Sequence, residues 1–397
     1  MSEIEPFRAI AISRLAHALK AEGRSVIHME FGQPSTGAPP AAIAEAHRVL
    51  DVDSMGYWES APLKARIARL YDERYGVSVS ADQLLLTNGA SPALVLGLSS
   101  RFAPGDRIAM ARPGYVAYRN TVKALRMVPV EIACGPDEHY QLTAAALDAL
   151  EPAPAGVIIA SPANPTGSVI AAEELAAIAG VCARKGIQIL SDEIYHGLSY
   201  VGPQPSLLQF APEAMVINSF SKYWSMAGWR LGWLLVPHDH IERARAYIGN
   251  LFLTPPSLSQ HAGLVAMDQH EVLEGHIETY ARNRALMLEA LPALGLKSIA
   301  PPDGAFYVWA DCSRFLAAQQ GGQGPADAWD FCFDMMRRAH VALTPGRDFG
   351  PAMADRFVRL SFASALPQLQ AAVARLEREL GRRHTPLMPL MPLTPMT

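Results

Sequence analysis

"GVIIASPANPTGSVIAAEELAAIAGVCARKGIQILSDEIY", residues 156–195, sets a helical pattern between two short apolar runs. GVIIA and IQIL are strand-sized and rich in β-branched residues, and both end in polar or turn-forming residues. The segment AAEELAAIAGVCARKG between them has helical spacing and a stop signal at Gly186. Strand, helix and strand in this order read as a βαβ unit with parallel strands. The same alternation begins at "DQLLLTNGA", near Asp82, and recurs through "DRIAMA", "AMVINSFSK" and "WRLGWLLV". The pattern predicts an α/β fold over about residues 48–285, with a mostly parallel sheet and helices on both faces.

The flanking segments have a different rhythm. A helix is expected near Phe7 to Glu22 in the N-terminal arm, residues 1–47. After a helix from about Arg282, residues 286–382 offer a strand pair around "GAFYVWAD", a helix at "AWDFCFDMMRRAH", a strand at "RFVRLSFA" and a helix at "LPQLQAAVARLEREL". Together the two chain ends predict a smaller α+β domain. The tail, residues 383–397, carries a proline at every third position of "TPLMPLMPLTP" and is expected to be extended.

Composition excludes several function classes. Lys+Arg 34 against Asp+Glu 38 leaves a formal charge of −4, which suits neither nucleic acid nor an anionic membrane. The cysteines Cys134, Cys182, Cys312 and Cys332 are far apart, with no metal-binding spacing, so free thiols in a reducing compartment and no metal are expected. The charged, amphipathic start "MSEIEPFRAIAISRL" points to a cytoplasmic protein.

In open parallel sheets, ligands bind beyond the carboxyl ends of the strands. The strand exits here are Gly89-Ala90-Ser91, Asn164-Pro165-Thr166-Gly167, Asp192-Glu193-Ile194-Tyr195 and Ser219-Phe220-Ser221-Lys222. Each alone has an ordinary explanation: a turn at NPTG, a cap at Asp192, an N-cap at Ser91, a solvated lysine. Four such exits on one sheet edge indicate chemistry instead. Pyridoxal phosphate explains the set, because a buried lysine amine forms a Schiff base with its aldehyde. Asp192 would keep the pyridine nitrogen protonated, and Asn164 and Tyr195 would bond the phenolic oxygen. The phosphate would sit on the amides of Ala90 and Ser91 with Ser219 and Arg230, while Gly228 and Gly232 allow the tight turn.

These motifs, "NPTG", "SDEIY", "SFSK" with "GWRLG", and "GAFY" in this order, resemble the fold-type I, class I/II pyridoxal-phosphate aminotransferases, from "PFRAI" to the last helix. The resemblance implies transfer of an amino group from an L-amino acid to a 2-oxo acid, with Lys222 as the Schiff-base lysine and proton shuttle. It implies that Tyr115 stacks on the ring and that Arg359, with the Gly32 amide and Asn164, holds the substrate carboxylate. It also implies a homodimer with shared active sites, in which Tyr57 reaches the neighbouring site's phosphate, and a pocket wall at "TPGRDFG", residues 344–350. β-Elimination of the C-S lyase kind on the same fold is the alternative.

The chain departs from the family pattern in four places. Trp58 follows Tyr57 where a threonine is usual, no glycine follows it before Ala61 and Pro62, and Tyr223 stands where a threonine often follows the lysine, with Trp224 next. No arginine lies between Tyr247 and His261, where the dicarboxylate-specific branch has one. Apolar or small donors are therefore expected over aspartate, in a pocket near Phe31, Tyr115, Trp224 and Phe349, with Lys123 as the residue that could reverse the preference.

Overall fold

The computed structural model describes residues 8–350 and 353–381, together with Ile4 and Pro6; the proline-rich tail lies outside the described residues. A seven-stranded sheet runs in the order Leu84–Thr87, Gly232–Leu235, Met215–Ser219, Gln188–Asp192, Gly156–Ala160, Arg107–Arg112 and Val128–Ala133. All its pairings are parallel except those of Gly232–Leu235, which runs antiparallel to both neighbours. Val128–Ala133 is a strand that sequence periodicity misses. It takes Pro129 without penalty because it is the sheet's edge.

Alternation along single strands shows why both faces are covered. In Gly156–Ala160, Val157 and Ile159 enter the larger core cluster while Ile158 enters the cluster on the opposite face. Side chains two apart share a face, so a strand that is apolar throughout needs helices on both sides. The helix Ala172–Lys185 begins with Glu173 and Glu174, ends with Arg184 and Lys185, and stops where Gly186 turns left-handed at φ 67°. Both charge placements complement the helix dipole.

The connection from Ser219 to Gly232 holds one short helical turn, Ala227–Trp229, and no crossover helix. The returning strand therefore runs antiparallel, and its first residues lie at the edge where the parallel strands end. Arg230 reaches the same edge as Lys222 for this reason.

A second, four-stranded sheet is wholly antiparallel, ordered Thr344–Pro345, Phe357–Ser361, Tyr307–Asp311 and Lys297–Ser298. The "GAFYVWAD" segment thus supplies one strand, and its partners come from the chain on both sides. Ile27–His28 pairs in parallel with Val341–Ala342, tying the N-terminal arm to the C-terminal region. The first helix is Ala9–Ala21, and the C-terminal helices are His270–Ala293, Ala328–Ala339 and Leu366–Gly381. All four cysteines are buried, and none of them forms a disulfide. Among the described residues, no helix is long and apolar enough to cross a membrane.

Candidate active site

The four polar exits open on one cavity. Gly32, Ala90, Ser91, Tyr115, Asn164, Asp192, Tyr195, Lys222, Arg230 and Arg359 all line it. Ser219 lies fully buried outside that wall, its Oγ accepting from the Ser221 amide at 3.2 Å. Tyr57 is 85% exposed and is not on the cavity wall of its own chain.

Lys222 follows directly from the strand Met215–Ser219 and its exit, and its Nζ donates to the Gly32 carbonyl at 2.5 Å. Burial and the Arg359 charge push the amine down to about 8, against the pull of Asp192. Asp192 ends the neighbouring strand and is buried, which raises its carboxyl above the usual range. Two donors oppose that rise: the Tyr118 hydroxyl at 2.7 Å and the Ile194 amide at 3.1 Å.

Tyr118 is absent from the sequence reading. It lies one helical turn beyond Tyr115 on Val116–Ala124, and the two rings meet edge to face at 5.5 Å. That spacing was the available signal. Tyr307 is the second residue missed; its hydroxyl is 2.7 Å from that of Tyr195. It also explains Gly32, since a Cβ there would stand 2.0 Å from the Tyr307 oxygen.

Arg359 is 2% exposed and held on several sides. Nη1 donates to Asn164 Oδ1 at 2.8 Å, and Nη2 donates to the Glu30 carbonyl and, at 3.2 Å, to Thr344 Oγ1. The guanidinium lies 4.5 Å from the Tyr307 ring centre and 5.0 Å from that of Phe349. Its Nε is buried without a hydrogen-bond partner.

The geometry at the other guanidinium excludes one ordinary explanation and corrects one sequence expectation. Ser91 is not an N-cap: the helix is Ala90–Arg101, Gly89 caps it, and Ser91 lies in its first turn. Gly228 does not make the turn before Arg230 either, since Ser225 and Arg230 themselves take the left-handed conformation, at φ 56° and 53°. Gly232 is needed for close packing, because a Cβ there would meet Asn218 O and Ser219 Cβ, each at 2.8 Å. Arg230 Nη2 donates to the Asn88 carbonyl at 2.9 Å, and Gly89 leaves room for it: a Cβ would lie 2.5 Å from that nitrogen.

The bulky residues after the lysine do not enter the cavity wall. Trp224 is fully buried against Phe220 and Trp233, and Tyr223 lies under Arg74. Trp58 stacks on His261 at 4.6 Å. Phe31 does line the cavity, whereas Phe349 packs on Arg359.

Comparison with known proteins agrees with this geometry. Residues 24–376 match the family "Aminotransferase class I and II". The chain is 40% identical over 380 residues to a valine–pyruvate aminotransferase of Mycobacterium tuberculosis, covering 94% of this chain and 96% of that protein. It is 30% identical over 393 residues to an aspartate aminotransferase of Geobacillus stearothermophilus, covering 96% and 98%. A crystal structure of an aminotransferase from Mycobacterium tuberculosis superposes with a TM-score of 0.91 at 40% identity, covering 96% of this chain and 98% of that one. With a lysine, a carboxylate and two arginines gathered at one sheet edge and a match spanning nearly its whole length, the chain belongs to the class I and II aminotransferases, enzymes of amino-group transfer.

Proposed function

We propose that the enzyme uses pyridoxal phosphate to move an amino group from a small or apolar L-amino acid to a 2-oxo acid. One observation carries this reading: the Lys222 amine shares a cavity with the buried Asp192 carboxylate and the Arg230 and Arg359 guanidinium groups. The donor set suits the cofactor. The first-turn amides of Ala90–Arg101 and Arg230 are a ready anion site, Asp192 is a buried partner for a ring nitrogen, and Tyr115 offers an aromatic face. When bound, pyridoxal phosphate supplies an aldehyde and an electron-accepting ring.

The chain's own residues do the rest. Lys222 presents an amine that is substantially unprotonated near pH 8 and can take and return a proton at the substrate Cα. Asp192, held by Tyr118, would offer its carboxylate to the ring nitrogen. Arg359 binds the substrate carboxylate, oriented by Asn164 and Thr344, with the Gly32 amide beside it. Asn164 and Tyr195, on the cavity wall, would hold the phenolic oxygen, and Ser219, which accepts from the Ser221 amide, would support the phosphate site.

The relative named valine–pyruvate aminotransferase supports an apolar donor and a small acceptor. An exposed Tyr57 supports a homodimer in which that phenol serves the neighbouring site. The test is a donor screen with pyruvate and 2-oxoglutarate as acceptors, followed by oxo-acid product. Turnover of valine or alanine only when an acceptor is present is the expected result. Multiple turnovers of a β-substituted donor such as cysteine without any acceptor, releasing sulfide, ammonia and pyruvate, would overturn it in favour of elimination.

A further inference from the structure

Glu193 is buried beside Asp192, and none of the roles above uses it. Its Oε1 accepts from Ser206 Oγ and the Leu207 amide, both at 2.9 Å, and from Ser191 Oγ at 3.3 Å. Its Oε2 has no hydrogen-bond partner and lies 3.4 Å from His196 Nδ1. An orphaned buried oxygen calls for an explanation.

The His196 ring supplies one. Its Nε2 is 3.0 Å from the Ser161 carbonyl, which only accepts, so Nε2 carries the hydrogen. Nδ1 is then an acceptor, and the Tyr75 hydroxyl donates to it at 2.8 Å. That bond takes the one lone pair of Nδ1, so Glu193 Oε2 meets no donor there, and an ionised carboxylate in this buried place costs more than a protonated, uncharged one. Burial agrees with this picture: it pushes the Glu193 carboxyl up to about 7 and holds the His196 ring neutral, its value lowered to about 3. The other titratable or charged groups acting on the pair are Asp192 from the same strand exit, and Tyr71, Arg74 and Tyr75 from the helix Ala61–Tyr75. Burial keeps both tyrosine hydroxyls protonated.

We infer that Glu193 is a positioning residue for Asp192: the Glu193 proton sets the charge beside that carboxylate. Loss of the Glu193 proton to solvent places a second negative charge one residue from Asp192. That favours a cationic ring nitrogen and strengthens the hold on the cofactor. The inference rests on the reading of Asp192 as the partner of the ring nitrogen.

The experiment measures the dissociation constant of pyridoxal phosphate from pH 6 to 8.5 for the wild type, Glu193→Gln and Ser206→Ala. Comparing each variant with the wild type cancels the titration of the phosphate and of Lys222, which all three share. The affinity ratio of wild type to Glu193→Gln should rise several-fold through about pH 7. In Ser206→Ala the midpoint should move to higher pH, because a donor favouring the carboxylate is gone; a merely structural contact would not move it. A flat ratio, or an unmoved midpoint, overturns the inference. Should Glu193→Gln fail to fold, the Ser206→Ala midpoint decides alone. Cofactor affinity indifferent to Asp192→Asn at every pH would instead refute the underlying reading of the site.

Discussion

The Tyr118 hydroxyl donates to Asp192 Oδ2 at 2.7 Å, so the buried carboxylate at the end of one strand is held by a helix that begins beside Tyr115. Hydrogen bonds to charged groups contribute roughly 1.5–3 kcal/mol. Tyr118→Phe should therefore lower kcat/KM by on the order of tenfold or more. Losing a donor to the charged form raises the Asp192 pKa, so activity should begin to fall at a higher pH as the solution is acidified. A pH–rate profile identical to wild type would show that Asp192 does not depend on this bond.

For Lys222 the prediction concerns the rate of cofactor capture by the apoenzyme. An unprotonated amine is required, and burial lowers this one to about 8. Capture should accelerate about tenfold per pH unit below pH 8 and level off above it. The same shift means that the folded chain binds fewer protons than the unfolded chain between about pH 8 and the ordinary lysine value, so this group's contribution to stability rises with pH there. Lys222→Ala should still bind pyridoxal phosphate, without the covalent absorbance, and should not turn over. A capture rate still climbing at pH 10 would contradict the buried amine.

Replacing Arg359 by lysine should separate substrate from cofactor. A single ammonium cannot reproduce two parallel hydrogen bonds to a carboxylate while also reaching Asn164 and Thr344. The expected outcome is a loss of kcat/KM for L-amino acids of on the order of 100-fold, mostly in KM, with cofactor affinity unchanged. Equal losses in both would mean that Arg359 holds the fold rather than the substrate.

The donor side chain is the next case. Burying a second carboxylate without a partner costs several kcal/mol, whereas an apolar side chain gains about 1.5–3 kcal/mol on burial. Valine, alanine and leucine should outcompete aspartate in kcat/KM. An aspartate preference that collapses in Lys123→Ala would reverse this assignment.

Mixed dimers test Tyr57. A Lys222→Ala chain paired with a Tyr57→Phe chain should contain one wild-type site if the phenol acts across the interface. Cofactor affinity at that site should recover to the native value. No recovery in verified mixed dimers would place Tyr57 in its own chain's site.

Most of the site was legible because strand exits in a parallel sheet converge, and residues 164, 192 and 222 each follow an apolar run that marks its own strand. Val128–Ala133 was not legible, since an edge strand with half-exposed residues and a proline lacks an apolar run. Tyr307 was hidden because its contact with Tyr195 spans 112 residues and two sheets. The direction of Gly232–Leu235 was hidden too: its apolar run is the same in either orientation, and only the absence of a crossover helix distinguishes them. The ordinary alternative of a Ser91 cap is excluded for a local reason, as Gly89 at φ 95° caps the helix two residues earlier.

The return strand also fixes a length. Lys222 and Arg230 stand on one loop whose ends, Ser219 and Gly232, are paired residue to residue in the sheet. An added residue within that loop must either bulge outward or slip the strand by one position, which would send Leu231 to the place now held by Gly232. That place has no room for even a Cβ, with Asn218 O at 2.8 Å. Insertions tolerated by ordinary surface loops are thus excluded here, and the spacing between amine and guanidinium behaves as a ruler whose ends are clamped by the sheet.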